Sequence, residues 1–350
     1  QEGILYTNMH SMPLSCPSRV QLMTGVYNDR NYVNFGYMND DEPTFAPLAN
    51  RAGYSTAMVG KWQLGRSREI PGRVGFDEWC LNQLEMYKEF SPATGNYTDR
   101  FANSYMDNNG HYELALYGPD GFQEYCYDYI DRQADAGNPF LLYYSTPLVH
   151  TPHVPTPDSE SWDLDYIGRF KGDTKNFPDM VAYMDKQVGA LVDHLKKRGV
   201  WDNTILIFTS DNGTSTRIIS EMADGTQVRG GKGTPLHRGT NVPLIITWGD
   251  KIEKGRVSGR LVDLTDFMPT FADAMRTEIP SEWHTDGVSL YPEMVGSPAP
   301  EKKMILCHFN PLWPTTPSPL ACRFSQTADY KYYWDGRFFN VSNDHMEQNP

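Results

Sequence analysis

Four polar stretches carry side chains that could do chemistry together: Ser15-Cys16-Pro17-Ser18-Arg19, Gly60-Lys61-Trp62-Gln63-Leu64-Gly65, His150-Thr151-Pro152-His153, and Asp211-Asn212-Gly213 with the later Gly230-Gly231-Lys232-Gly233-Thr234. Taken singly each is weak. Asp-Asn-Gly is a common turn, and the Gly-Gly-Lys-Gly-Thr run lacks the GxxxxGK[ST] spacing of a phosphate loop. Taken together they are complementary: Lys61, Lys232 and Arg19 for an anion, Asp211 and Asn212 oxygens for a hard cation, His150 for a proton, and a Ser15 hydroxyl or Cys16 thiol as nucleophile. That set suits hydrolysis at a highly charged oxyanion centre such as a sulfate or phosphate ester.

Such residues need elements to position them. Between 177 and 213, Met180, Val181, Met184, Val188, Leu191, Val192 and Leu195 recur at helical spacing; Lys196, Lys197 and Arg198 crowd the last turn and Gly199 stops it. An apolar run, Ile205 to Phe208, follows and ends at Asp-Asn-Gly. The same order of helix, glycine, strand and polar loop predicts strands at 56–60 and 139–144, ahead of Lys61 and His150. Further strands are expected at 243–247 and 304–308, with a helix near 265–277. This grammar predicts an α/β fold with a mostly parallel central sheet flanked by helices, whose functional residues gather at the strands' carboxyl ends. The last fifty residues read as a small antiparallel unit, so the domains are expected at 1–297 and 298–350. The Pro/Gly/Asn-rich stretches 84–120 and 145–176 read as loops shaping a cleft.

Composition bounds the function. With 31 basic against 44 acidic residues the net charge is −13, which argues against a nucleic-acid-binding face and requires any anion site to be made locally. No apolar run is long enough to span a membrane. Five cysteines without a CxxC pair argue against a disulfide framework or a zinc cluster.

The stretch SCPSRVQLMTG resembles the signature of the formylglycine-dependent type I sulfatases of the alkaline phosphatase superfamily, which runs Cys or Ser, any residue, Pro-Ser-Arg, three residues, Leu-Thr-Gly. In register, Ser15 is the modified position, Cys16 the free one, and Met23 replaces the usual Leu. The resemblance continues in order through GKWQLG, HTPH, FTSDNG, RGGKGT, VDLTDFMPTF and DGVSLYPEM, covering nearly the whole chain.

The resemblance implies that Ser15 is oxidised by a maturase to formylglycine, whose hydrate attacks sulfur with one hydroxyl; loss of the other hydroxyl's proton then releases sulfate and restores the aldehyde. It implies that Arg19 holds this residue, that Lys61 and Lys232 grip the sulfate oxygens, and that His150 protonates the leaving group as general acid. Gln63 stands where the family usually has a substrate-contacting His; its amide can hydrogen-bond but cannot change charge near neutrality. Asp211 and Asn212 match half of a Ca2+ site, with Mg2+ the alternative. The other half, an Asp-Asp pair ending a first strand, belongs upstream of the segment EGILYTN. The chain is therefore expected to lack a strand and two ligands, with weak or absent metal binding and turnover. His153 is expected to be structural or substrate-facing, and His237, at a position acidic in many relatives, to tune substrate choice or simply sit in a loop. Gln227 and Thr214 lie near motif positions without a firm role.

The substrate implied is a sulfated carbohydrate or small molecule, with Trp162, Trp201 and Tyr166 as candidate sugar-stacking rings. Serine-type signatures imply an exported bacterial protein, periplasmic or extracellular. Three other readings stay open: a phosphodiesterase or phosphonate hydrolase of the same superfamily, an inactive homologue that binds sulfated ligands, and a Cys16 thiol nucleophile with His150 as base.

Overall fold

The computed structural model describes residues 2–32, 34–65, 69–82, 90–91, 96–97, 100–163, 172–310 and 321–350. They form two compact units, Gln1–Leu48 with Asp202–Pro350, and Ala49–Trp201.

The first unit is built on a sheet in the order Arg256–Asp263, Ile4–His10, Leu244–Thr247, Leu206–Thr209. Ile4–His10 runs parallel to Arg256–Asp263 and antiparallel to Leu244–Thr247. Ile4, Tyr6, Leu244, Ile246 and Val262 pack with Phe267, Leu290 and Met294 in one core. The helix Phe267–Met275 lies where it is expected, preceded by a 3-10 turn, Leu264–Asp266, closed by a capping box between Asp263 and Asp266. A second, wholly antiparallel sheet follows: Ile305–Phe309, Cys322–Gln326, Tyr330–Tyr333 and Phe338–Asn340. Its inward residues Cys307, Phe309, Phe324, Tyr333 and Phe339 close over Met12.

The second unit carries a five-stranded sheet in the order His111–Tyr117, Ala102–Asn108, Glu78–Asn82, Ser55–Lys61, Phe140–Ser145. Ser55–Lys61 runs parallel to both its neighbours, and the two strands nearest His111 are antiparallel. Gly118–Ala136 buries Phe122, Cys126, Tyr129 and Ile130 at helical spacing; Phe122 and Cys126 pack on Val59, Cys80 and Met106.

The α/β class and the C-terminal antiparallel sheet are as expected, and the Ile4–His10 sheet and the five-stranded sheet are mixed. Three local expectations need correction. Residues 84–120 are not all loop: Ala102–Asn108 and His111–Tyr117 form a hairpin, turned at Asn109 (φ 50°) and Gly110 (φ 88°), a pairing that tolerates positive φ. Ile4–His10 is a strand where the sequence pattern predicts no element. The buried face of Phe177–Lys197 is rotated from the apolar stripe: Val181 is exposed, whereas Tyr183 and Gln187 are buried. The cause is polar, since Tyr183 Oη and Gln187 Nε2 both donate to Asp120 Oδ1, at 2.8 and 2.9 Å.

Candidate functional site

Ser15 opens the helix Ser15–Thr24, directly after Leu14 leaves extended backbone. The signature residues explain this helix locally. Pro17 sits in the first turn, where its missing N–H is no loss. Ser18 Oγ donates to the carbonyls of Leu14 (2.9 Å) and Met12 (3.1 Å), fastening the helix to the segment that leads into it. At the other end Thr24 Oγ1 donates to Val20 O at 2.8 Å and accepts from Asn31 Nδ2 at 2.8 Å. Gly25 ends the helix at φ +69°, and a Cβ there would lie 2.6 Å from that of Met268. Arg19 and Met23 are buried, so the Leu-to-Met departure falls in the core. Ser15 keeps 3% of its surface and Cys16 none, which disfavours the thiol as the group that meets a substrate.

Asp211 and Asn212 follow the Leu206–Thr209 strand, and Lys232 follows the Gln227–Arg229 strand. Backbone hydrogen bonds tie both loops to the Ser15 segment's side of the sheet. Lys232 N donates to Thr214 O (2.9 Å), Gly233 N to Pro13 O (2.9 Å), Gly213 N to Gly239 O (3.0 Å) and Ser11 N to Thr240 O (2.7 Å). Glycine permits these approaches. A Cβ on Gly213 would stand 2.2 Å from Arg238 O, and one on Gly239 would stand 2.2 Å from Thr234 O. The structure thus brings Ser15, Arg19, Asp211, Asn212 and Lys232 onto one set of mutually bonded loops. Thr214 acquires a role as the acceptor for Lys232.

In the second unit, Lys61 ends the Ser55–Lys61 strand and is 4% exposed, and His150 follows the neighbouring parallel strand Phe140–Ser145. Both lie past the carboxyl ends of parallel strands, as the α/β reading expects. Gly60 (φ +97°) allows close approach there: a Cβ would meet Ser145 O at 2.1 Å. Gln63 adopts φ 54°, a conformation side-chain residues seldom take and one that gathers at functional sites. His150 Nδ1 lies 2.7 Å from Thr151 O. A carbonyl can only accept, so Nδ1 carries the hydrogen and Nε2 is the nitrogen that gains or loses a proton.

The remaining residues named in the sequence take definite positions. His153 is buried edge-on against Phe177, ring centroids 5.3 Å apart, and its carbonyl accepts from Asp173 N and Asn176 Nδ2; it is structural. His237 opens a short helix, His237–Thr240, and is half-buried. Its Nδ1 is buried without a hydrogen-bond partner, and burial, with His345 and Lys331 nearby, lowers its pKa to about 4. Trp162 packs against Tyr117 (5.5 Å between centroids), and Trp201 lies under Lys196 Nζ at 5.2 Å. Gln227 is exposed and donates to Glu221 Oε2 at 2.9 Å. Tyr166 lies outside the described residues.

Sequence reasoning missed a buried group behind the Lys232 loop. Lys331 Nζ donates to Glu347 Oε1 (2.9 Å) and Pro235 O (2.5 Å), and Tyr333 Oη donates to Glu347 Oε2 (2.5 Å). Among the described residues no group of three or more His, Cys, Asp or Glu is placed to hold a metal. The residues that are present do suit a hard cation in part: Asn212 Oδ1 is a buried oxygen with no hydrogen-bond partner, and Asp211 precedes it in sequence.

An α/β fold with a C-terminal antiparallel sheet thus carries Ser15 at a helix start beside the loops of Asp211, Asn212 and Lys232. Residues 1–277 match the Sulfatase family model, and the chain belongs to that family. It is 29% identical over 380 residues to an uncharacterized sulfatase, YdeN, of Escherichia coli, covering 100% of this chain and 64% of the relative. It is 27% identical to the N-acetylgalactosamine-6-sulfatase of Homo sapiens, covering 84% of this chain and 59% of that protein. The chain thus spans roughly three fifths of these relatives' lengths. The crystal structure of Ps i-CgsB in complex with k-i-k-neocarrahexaose shares the fold at a TM-score of 0.77 and 23% identity, over 100% of this chain and 80% of that one. A structure of BT4656 with its substrate D-glucosamine-2-N,6-O-disulfate does so at 0.72 and 21%, over 99% and 86%.

Proposed function

We propose that the protein hydrolyses a sulfate ester of a carbohydrate to alcohol and inorganic sulfate. The observation that carries this reading is the backbone bonding of the Lys232 loop to Thr214 and Pro13, which sets a sulfate-gripping lysine among the loops of the Ser15 helix and of Asp211 and Asn212. Relatives named for sulfated sugars support the carbohydrate class.

Ser15 is the formylglycine precursor, made by a maturase, and Arg19 supports it. Lys61 and Lys232 bind sulfate oxygens and offset charge growing on the leaving oxygen. His150, its Nδ1–H held by Thr151 O, delivers a proton from Nε2 to that oxygen. Gln63 offers an uncharged hydrogen bond to substrate. Asp211 and Asn212 would ligate Ca2+, or Mg2+, which when bound supplies positive charge against the sulfate. The protein works outside the cytoplasm of a bacterium, in the periplasm or beyond; no helix among the described residues is long and apolar enough to cross a membrane.

Mass spectrometry of the Ser15 peptide from native-source protein tests the mechanism: loss of two hydrogens is expected, and an intact serine in an active enzyme refutes it. Turnover of aryl sulfate is expected to exceed that of aryl phosphate, and the reverse preference by orders of magnitude would reassign the reaction.

A further inference from the structure

The Lys232 loop is held from a second side, by the C-terminal segment. Pro235 has no N–H to give, but its carbonyl and, beyond Leu236, the His237 amide need partners. Both are met by side chains from far along the sequence. Pro235 O accepts from Lys331 Nζ at 2.5 Å and Tyr333 Oη at 3.2 Å, and His237 N donates to Glu347 Oε1 at 2.7 Å. Glu347 accepts in turn from Lys331 (2.9 Å) and Tyr333 (2.5 Å), so the three side chains form one closed network. The Lys331 and Glu347 side chains have no exposed surface.

A fully buried ion pair is a poor way to gain stability, because desolvating two charges offsets their attraction and well-packed apolar residues do as well. What it does supply is direction: four donor and acceptor atoms that are satisfied in a single arrangement of residues 235–237. Those residues lie three to five places beyond Lys232, whose own amide and that of Gly233 are bonded to Thr214 O and Pro13 O. The loop is therefore gripped at both ends.

We infer that Lys331 and Glu347 are positioning residues for Lys232, acting through the Pro235 carbonyl and the His237 amide without touching substrate; the inference deepens the proposed function and rests on it for Lys232's role. Loosening the grip lets Lys232 wander, and errors of about 1 Å in such a group cost roughly a hundredfold in rate.

The test uses the full chain with Lys331→Met, Glu347→Gln, the double variant and the milder Tyr333→Phe. Hydrogen exchange is read at the amides of Lys232 and Gly233 against those of Ile245 and Ile246. Roughly tenfold faster exchange at the loop alone is expected in each single variant; equal acceleration in the strand, or none at the loop, overturns the inference. In the double variant the side-chain amide introduced by Glu347→Gln still accepts from the His237 N–H and no buried charge is left unpaired, so loop protection should be partly restored; a loop looser than in either single variant also overturns it. Kinetics with aryl sulfate should show kcat/KM lowered by roughly tenfold to a hundredfold in the single variants, through a raised KM as well as a lower kcat. A fall in kcat that follows only the folded fraction, with KM unchanged, means a merely structural role. Should the parent protein hydrolyse no sulfate ester, the proposed function fails by itself, and the exchange measurement still decides whether the loop is gripped.

Discussion

His237 gives the most exact test of the physical picture, because its ring links burial, charge and pH in one number. Its pKa is lowered from 6.5 to about 4, first by burial and then by His345 and Lys331, with Glu347 opposing. A base with a depressed folded pKa is neutral in the folded protein and protonated in the unfolded chain between the two values. The unfolded state therefore binds more protons between pH 6.5 and 4. Stability is complete above pH 6.5 and falls as the pH drops toward 4. At 1.36 kcal/mol per pKa unit the whole shift amounts to about 3 kcal/mol. The ring keeps a partly exposed edge, so solvent screening brings the working figure to about 2 kcal/mol. The assay is urea unfolding at about pH 7.5 and about pH 4 for the parent and for His237→Gln, which cannot titrate. Carboxylates and histidines remote from the ring act alike in both proteins and cancel; His10, whose pKa His237 itself helps to lower, and His345 beside the ring are followed by NMR in both proteins. The parent should lose about 2 kcal/mol more than the variant on acidification. Equal losses, or a His237 ring that titrates near 6.5 by NMR, would refute the reasoning.

Two further outcomes follow from the same loops. Gly239→Ala places a methyl group 2.2 Å from Thr234 O and 2.5 Å from Gly231 O; a backbone cannot yield as a side-chain tip does, so a loss of about 3 kcal/mol is expected by chemical denaturation, whereas Gly259→Ala, with open space around it, should lose less than about 1 kcal/mol. If Asn212 Oδ1 is a cation ligand, adding Ca2+ to chelator-treated protein should raise the melting temperature, and Asn212→Ala should remove that rise; an equal rise in both proteins would place the cation elsewhere.

The site is legible where a local pattern encodes it. Pro17, Ser18, Thr24 and Gly25 each do a helix-end task that sequence can announce, and the strand-then-loop grammar puts Lys61 and His150 at the ends of adjacent parallel strands. The hairpin at 102–117 carries its own signal in Asn109-Gly110, which a polar stretch on both sides obscures. The rotated face of Phe177–Lys197 is not legible, because hydrophobic periodicity cannot know that Asp120, more than sixty residues away, will draw Tyr183 and Gln187 inward. His237 misleads for a related reason. A histidine at a position acidic in relatives invites a substrate role, whereas the carboxylate that serves this loop comes from Glu347 and meets the backbone amide rather than the ring.

Glycines let short, widely spaced motifs of this chain come together. Gly213 and Gly230 stand where a Cβ would come within 2.5 Å of the other loop's backbone, and Gly239 where one would come within 2.5 Å of Thr234 O and Gly231 O in its own segment, so residues 213–215 and 230–239 pack backbone against backbone. Side chains between them would add several ångströms and rotamer freedom to the placement of Lys232 and Asn212. Backbone contact removes both, and leaves the loops only the slack that their hydrogen bonds allow. A reacting sulfate needs its ligands fixed to within about half an ångström. Bare backbone is the stiffest material a chain has for that purpose, and the Lys331–Glu347 network holds Pro235 and His237 between those glycine contacts.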